Sequence, residues 1–276
     1  MIRALLILVV LFIASAGGSG WYVYHWLNTP VAVKTIKDIG ADTDQQSVVF
    51  SVNPGTSLTQ ASNELSRKGY FKYPKILSFY GRLTKKTNIK VGEYLISSTE
   101  TPKSLLEKFI NGQVINYSVT LVEGRTFKQA LTHLQSQKKL IVTLKDQKLI
   151  DGFIQNLEIE QKHPEGWFFP DTYNYSLGMT DKDILTQAYR RMKDVLATEW
   201  ENRAGNLPYE NAYEALIMAS IVERETGQVS ERQQIAGVFV RRLEKKMRLQ
   251  TDPTIIYGLG DTYSGNIRRK HLSQKT

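Results

Sequence analysis

Two glutamates at the end of an apolar segment are the strongest candidates for acid–base chemistry in this chain. Glu223 and Glu225 follow the run 215–222, which is almost entirely apolar. At about 100° per residue, side chains two positions apart on a helix point roughly 160° away from each other, so the two carboxylates cannot face one cleft. Glu225 continues the apolar line of Met218 and Ile221. We predict that it is partly buried there.

A buried carboxyl at the negative end of a helix dipole favours its protonated form, and a general acid requires a proton near neutral pH. Catalysis by Glu225 is therefore one interpretation. The structural alternative is a glutamate that is paired with Arg224, Arg232 or Arg242, or one that is solvated where the helix frays. The spacing leaves both interpretations open.

The polar segment Gln250-Thr251-Asp252 is the second candidate element of a site. In the functional interpretation it lies beside the acid and positions a ligand that is rich in hydroxyl groups. In the structural one, Pro253 belongs to the first turn of a helix and Asp252 is its N-cap, which the sequence alone favours.

An aromatic-rich segment could bind sugar rings, because their apolar faces pack on aromatic side chains. Residues 167–175 contain five aromatic residues, with Asp171 and Asn174 among them; the candidate binding residues are Trp167, Phe169, Asp171 and Tyr173. The alternative is a core strand or a wedge between domains, and the two interpretations are equally favoured.

The elements that must position these residues are predicted from periodicity. Alternation predicts strands at 48–52 and 91–97 and recurs at 114–122, and the polar region 135–162 gives no clear assignment. Helical spacing predicts helices at 58–65, 75–83, 102–111, 126–134, 181–202 and 213–226, a further helix from 230, and a last one from 251 or 252. Short strands mixed with helices predict an α+β fold.

The composition excludes several functions. The 276 residues include no cysteine, so disulfide scaffolds, thiol catalysis and iron–sulfur clusters are excluded. The four histidines are scattered without the spacing of metal ligands, and we expect neither a metal nor a cofactor. The net charge of +9 indicates an anionic neighbour, but without a nucleic-acid motif we expect no nucleic-acid partner.

Residues 4–26 contain no charged side chain and end in an aromatic cluster, which predicts a single membrane anchor. A signal peptide that is cleaved after Ala14-Ser15-Ala16 is the alternative. We assign residues 1–28 to the anchor, 29–46 to a linker, 47–122 to a small α+β module and 123–276 to a second, mostly helical domain.

Two long motifs resemble the YceG-like endolytic murein transglycosylases. The first runs from Ala219 to Gly258 and includes Val222-Glu223-Arg224-Glu225-Thr226 and Leu249-Gln250-Thr251-Asp252-Pro253; the second is Glu165-Gly166-Trp167-Phe168-Phe169-Pro170-Asp171-Thr172-Tyr173. The anchor and the order of the segments also match, so the resemblance spans nearly the whole chain.

The resemblance implies a lyase that is anchored in the inner membrane, with its catalytic domain on the periplasmic side and a LysM-like module at 47–122. Its substrate would be nascent peptidoglycan, cleaved between MurNAc and GlcNAc to leave 1,6-anhydroMurNAc ends. Glu225 matches the catalytic position; Glu223 and Asp252 would support it, and Gln250, Thr251 and Tyr257 would line the cleft. Glycan strands and the inner membrane are the implied partners, with peptidoglycan synthases as candidate protein partners.

The sequence departs from the family pattern in one respect. Family members continue past the position of Thr276, so we expect the catalytic domain to be incomplete here and the chain to be a fragment or an inactive form. Two alternative functions stay open: a membrane-tethered protein that binds peptidoglycan without cleaving it, and a muramidase that uses water, with Asp252 as its second carboxylate.

Overall fold

A computed structural model describes residues 18–33, 47–157, 159 and 163–272, and it confirms the α+β class. The described elements are, in chain order, α1 (18–27), β1 (Ser47–Val52), α2 (Leu58–Arg67), α3 (Pro74–Leu83), β2 (Gly92–Ser97), α4 (Pro102–Asn111), β3 (Tyr117–Thr120), α5 (Phe127–Gln135), α6 (Gln147–Asn156), β4 (Thr172–Tyr175), α7 (Asp181–Glu201), α8 (Ala212–Glu225), α9 (Val229–Glu244), α10 (Asp252–Leu259), a 3₁₀ turn (Gly260–Thr262) and α11 (Arg269–Leu272).

The chain divides into two compact units. The first contains the residues up to Tyr117 together with Asn174–Met179, and the second contains Ser118–Tyr173 together with the residues from Thr180 onward. Every candidate site residue named above belongs to the second unit.

The first unit is an antiparallel strand pair covered by helices. Val48 lies opposite Ile96 and Phe50 opposite Tyr94 in the β1–β2 register, and these four side chains are buried. Phe109 of α4 packs on them, with ring centroids 5.9 Å from Phe50 and 4.7 Å from Tyr94. Because side chains alternate along a strand, the helices cover one face of the pair and leave the other face exposed.

The end of α1 and the segment after it also belong to this core. Leu27, Val31 and Val33 are buried in it. The backbone N–H of Val31 donates to the carbonyl of Glu100 at 2.7 Å. The predicted anchor lies largely at residues 1–17, outside the described part of the chain, and the linker prediction falls mostly on residues 34–46, which are also outside it. No helix within the described ranges is long and apolar enough to span a bilayer.

The second unit is organised around the long helix α7. Thr180 and Asp183 form a capping box at its start, and Ile184, Leu185 and Ala188 are fully buried on its inner side. Asp181 is completely buried, and it accepts hydrogen bonds from the hydroxyl of Thr143 and from backbone N–H groups of the 143–144 segment. These bonds tie the start of α7 to a segment that precedes it by almost forty residues.

The polar middle region contains a helix that the sequence does not assign, whereas the aromatic segment forms a strand only at its end. Helix α6 occupies part of the region 135–162, with Asp146 as its N-cap. Only residues 172–175 of the aromatic segment form a strand, which pairs with β3. Residues 165–171 form turns and extended loop ahead of that strand.

Candidate active site

The centre of the candidate site is a hydrogen bond between the end of α8 and the start of α10. Glu225 is the last residue of α8, and the hydroxyl of Thr251 donates to its Oε1 atom. Thr251 is 3% exposed, so the donor is held by the surrounding protein. A fixed donor gives the carboxylate one defined orientation and leaves its second oxygen for another partner.

The predicted burial of Glu225 is wrong, because its side chain is exposed. The apolar line that it continues is buried at Met218, Ile221 and Val222. Glu225 closes the last turn of the helix, where its side chain extends past those residues. The carboxylate is therefore accessible from solvent on one side and bound to a buried hydroxyl on the other.

Helix α8 is not buried all round either, contrary to its composition. Ile217 is 44% exposed, and Ala219 and Ser220 are exposed as well. The apolar residues of α8 thus form one buried side and one accessible side.

Thr251 occupies the N-cap position of α10 but does not cap it with its side chain. Its hydroxyl is directed to Glu225, whereas an N-cap hydroxyl usually accepts a bond from its own helix. Asp252 is the first residue of α10 and is exposed, so the prediction that it is the N-cap is wrong. Gln250 adopts a left-handed backbone with φ of 54°, which turns the chain into α10.

Glu223 has a different environment from Glu225, as helical spacing predicts. Its Oε2 atom lies 2.9 Å from Nη2 of Arg232 on α9. Each of the other arginines that could have neutralised Glu225 binds elsewhere: Arg224 donates to the carbonyl of Gly124, and Arg242 donates to that of Leu249.

The turn between α8 and α9 is held by Thr226. This residue is buried, and its hydroxyl donates to Glu231 at 2.7 Å while it accepts from the N–H of Gln228 at 3.0 Å. The threonine that follows Glu225 therefore has a structural role, which the motif alone does not reveal.

A groove of about 450 Å³ runs between α8 and α9 beside the Glu223–Arg232 pair. Its lining is mostly apolar, with the two charged residues at one side; the lining residues are Tyr209, Ala215, Met218, Ala219, Val222, Glu223, Arg232, Gln233 and Ala236. The Nε atom of Arg232 is buried and has no hydrogen-bond partner among the described residues. This combination of apolar wall and ionic edge suits a ligand with both apolar and hydroxyl-bearing faces.

The aromatic segment meets the other end of α8. The indole of Trp167 stacks on the ring of Tyr213 with centroids 5.6 Å apart and planes 7° apart. Burial raises the pKa of the Tyr257 hydroxyl, and the nearby Glu165 and Tyr213 raise it further. Tyr213 is twelve residues before Glu225, which is about 18 Å along a helix. The aromatic cluster and the carboxylate therefore occupy opposite ends of α8.

Glu165 is a polar residue of this region that the sequence analysis did not single out. Burial raises the pKa of its carboxyl. Two smaller effects lower the pKa: the N–H of Phe127, which donates to Oε2 at 2.9 Å, and the nearby His163. Its position in the second motif was the available signal, because a glutamate inside an aromatic cluster must find a polar partner.

The remaining aromatic candidates are mainly structural. Tyr173 is buried, and its hydroxyl donates to the carbonyl of Phe169 at 2.6 Å; burial raises the pKa of that hydroxyl to about 12. The ring of Phe169 lies 5.7 Å from the guanidinium of Arg191. Asp171 is exposed and accepts from the N–H of Thr172 at 2.7 Å. Trp167 alone combines a stacked ring with a buried indole nitrogen that has no partner among the described residues.

Comparison with known proteins decides the family. The YceG-like family matches residues 50–276, which is most of the chain. The chain belongs to the YceG-like family. The match covers the α8 carboxylates, the Thr251 segment and the aromatic segment, so all the residues described in this site are part of the family region.

Relatives of this family include two curated proteins that are named endolytic murein transglycosylase. The protein from Bacillus subtilis is 26% identical over 78% of this chain and 64% of its own length. The protein from Streptococcus pneumoniae D39 is 23% identical over 94% of this chain and 50% of its own length. The chain therefore spans about half to two thirds of the length of these relatives.

A solved structure is similar as well. The crystal structure of a YceG-like protein from Listeria monocytogenes is 25% identical, with a TM-score of 0.45, and the match covers 83% of this chain and 81% of that one.

Among the residues that the structure describes, no group of three or more His, Asp or Glu side chains is placed to hold a metal ion.

Proposed function

We propose that this protein is an endolytic peptidoglycan transglycosylase, a lyase that cleaves the MurNAc–GlcNAc bond inside nascent glycan strands and terminates their elongation. The observation that carries the proposal is the exposed Glu225 carboxylate fixed by the buried hydroxyl of Thr251. The names of the relatives support the same reaction. No cofactor is required, because one carboxyl can serve both proton transfers.

In the proposed reaction Glu225 first donates its proton to the glycosidic oxygen, and the bond between that oxygen and C1 of MurNAc breaks. The 6-hydroxyl of the same MurNAc attacks C1, and its proton passes to the Glu225 carboxylate. The new C1–O6 bond closes the anhydro ring, water is not consumed, and Glu225 is protonated again. Thr251 keeps the carboxylate in one position through both steps.

The other residues divide between binding and positioning. The groove between α8 and α9 is proposed to accept sugar residues near Glu223 and Arg232, and the Trp167–Tyr213 stack is proposed to bind a ring of the same strand about 18 Å away along α8. Gln250 and Asp252 flank Thr251 in the chain, and Tyr257 lies near Glu165 and Tyr213 of the aromatic cluster. A strand that reaches both ends of α8 is an interior segment of a polymer, which suits endolytic cleavage.

The small module at 47–122 is proposed to be LysM-like and to bind the same polymer. Its order of strand, two helices and strand supports this, as does a polar groove of about 520 Å³ beside α2. Residues that line it are Pro54, Gly55, Thr56, Gln60, Asn63, Glu64 and Arg67.

We further propose that the protein is held in the inner membrane by its N-terminal segment, with both units on the periplasmic side beside the peptidoglycan synthases. The support is the uncharged stretch 4–26 and the aromatic residues at its end. Flotation of the protein with lipid vesicles after carbonate extraction tests the attachment.

The reaction is tested by digesting purified glycan strands and measuring the masses of the products by mass spectrometry. Anhydro ends are lighter than reducing ends by one water molecule. We expect anhydro products from the parent protein, none from Glu225→Gln, and substantial cleavage by Glu223→Gln, whose carboxylate binds Arg232 instead. A Glu225→Gln variant that cleaves as fast as the parent would exclude Glu225 from the chemistry.

A hydrolytic muramidase is the second candidate, because Asp252 directly follows the hydroxyl that binds Glu225. A second carboxylate that activates water is the usual arrangement in glycoside hydrolysis. Products with reducing ends, abolished by Asp252→Asn, would establish that reaction. Binding of peptidoglycan without any cleavage would establish a non-catalytic wall-binding protein.

A further inference from the structure

One side of the first unit combines exposed apolar residues with a local excess of cations. Residues 65–92 contain eight lysines or arginines and no aspartate or glutamate. The N-terminal described segment, 18–33, contains no acidic residue either. Two of the eight cations are paired, Lys68 with Glu64 and Lys86 with Glu107. Lys75 and Arg82 of α3 are exposed and form no ion pair with a described residue.

The outer stripe of α3 shows this combination directly. Phe79 and Leu83 are 60% and 71% exposed, and Lys75 and Arg82 on the same stripe are also exposed. The opposite side of α3 is buried at Leu77. A helix with exposed aromatic and leucine side chains between cations has the composition of an interfacial membrane helix.

This stripe begins next to α1, which forms the end of the uncharged N-terminal stretch. Tyr73 directly precedes α3, and its ring lies 6.3 Å from that of Tyr22 and 6.4 Å from that of Trp26, both on α1. Trp21 and Tyr24 of α1 are 67% and 68% exposed. Because α3 is ten residues long, its whole stripe lies within about 15 Å of this contact along the helix axis.

We propose that this surface, defined by Lys75, Phe79, Arg82 and Leu83 of α3, docks on the headgroup region of an anionic lipid bilayer. The proposal rests on the membrane attachment proposed above. Continuity with the uncharged stretch brings the surface to the bilayer, and its positive charge matches anionic headgroups, each cation changing the docking equilibrium about fivefold. Aromatic rings at this depth are favoured at membrane interfaces. Docking would fix the first unit against the membrane rather than leave it on a free tether.

The absence of cysteine makes a direct test possible. Leu83→Cys in the full chain is labelled with an environment-sensitive fluorophore and reconstituted into phosphatidylethanolamine vesicles with about one-quarter phosphatidylglycerol. Leu95→Cys is the matched control, because Leu95 is an exposed leucine (46%) on the uncovered face of the β1–β2 pair. We expect quenching by spin-labelled lipid at position 83 and little at position 95.

Charge reversal tests the electrostatic part. Lys75→Glu with Arg82→Glu should lower the docked population at position 83 at least about 25-fold. Lys138→Glu with Lys148→Glu, two exposed lysines of the second unit, makes the same change in net charge and should leave quenching unchanged. Raising the salt concentration should act like the first pair.

Each result has one consequence. Loss of flotation in every variant refutes the membrane attachment. Retained flotation with equal quenching at positions 83 and 95 refutes docking alone. Equal quenching in phosphatidylcholine vesicles refutes recognition of anionic lipid. Shielding of position 83 without vesicles, increasing with protein concentration, assigns the surface to a second copy of the chain instead.

Discussion

Replacement of Thr251 by valine should reduce the rate of strand cleavage far more than it reduces stability. The side chain of Thr251 is 3% exposed and donates its hydroxyl to Glu225. Valine has nearly the same shape, so the buried site stays filled and no cavity opens. Glu225 is exposed, so water can replace the lost donor. We therefore expect the free energy of unfolding to fall by no more than about 1 kcal/mol.

The expected effect on catalysis follows from the same bond. A hydrogen bond to a charged group contributes about 1.5–3 kcal/mol, and if it holds the carboxylate throughout the reaction its loss slows turnover about 10- to 150-fold. Thr251→Ser keeps the hydroxyl but removes a buried methyl group. It should keep most of the activity while it loses about 1 kcal/mol of stability. The two variants thus separate positioning from packing.

The assay is the rate at which anhydro ends appear, measured with unfolding by denaturant for the same samples. A variant that combines Glu225→Gln with Thr251→Val should be as inactive as Glu225→Gln alone, since the two residues act as a unit. Equal activity in the valine and serine variants would refute the positioning role of the hydroxyl. A loss of activity that follows the loss of stability in both variants would refute it as well.

Three further outcomes follow from the described side chains. Burial by itself raises the pKa of Asp181, but hydrogen bonds from Thr143, Leu144 and Lys182 outweigh burial and lower the pKa. The stabilisation by this carboxylate is therefore present above its unfolded-state pKa and is lost as pH falls through its folded-state pKa. Asp181→Asn should lower the free energy of unfolding by about 3 kcal/mol in denaturant at neutral pH, and by less in acid. Because burial raises the pKa of Glu165, stability should fall as pH rises through that value, and Glu165→Gln should remove this dependence in thermal melts recorded across the range. Gln250→Gly should raise the free energy of unfolding by about 1 kcal/mol, because glycine adopts the left-handed backbone without strain.

The elements of the first unit were predictable because their local signals agree with their packing. Ser57 and Thr101 form capping boxes at the starts of α2 and α4, and Gly112 ends α4 in the left-handed conformation that glycine favours. The alternating apolar residues of β1, which are Val48, Phe50 and Val52, are the ones that are buried. Where side-chain chemistry, periodicity and burial coincide, a single sequence is sufficient.

The second unit was less predictable because its elements depend on distant partners. Nothing in the spacing around Asp181 reveals that its carboxylate binds the segment at 143–144. Helix α6 lies in a polar region that received no clear assignment, and only Phe153 and Ile154 of this helix are buried. The strand β4 forms only through its pairing with β3, and the aromatic residues beside it fit a loop equally well.

The candidate site shows the same division. The divergence of Glu223 and Glu225 follows from helix geometry and needs no tertiary information. The exposure of Glu225 does not, because it depends on which helix turn is last and on what packs beyond it. The hydrogen bond from Thr251 to Glu225 joins residues that are 26 positions apart in the chain. Only the functional interpretation of the 250–252 segment placed Thr251 near the acid, and the sequence left the structural interpretation open as well.

Exposure of Glu225 leaves it to the substrate to exclude water from this carboxylate in the proposed mechanism. A glycan strand lying along α8 would remove the water that contacts the side chain, and a site without water strengthens the electrostatic interactions that act on the reacting atoms. The fold then fixes position, through Thr251, before substrate arrives, and the substrate completes the environment. A strand long enough to span from the Trp167–Tyr213 stack to Glu225 would do this better than a disaccharide, so chain length should act on turnover as well as on binding.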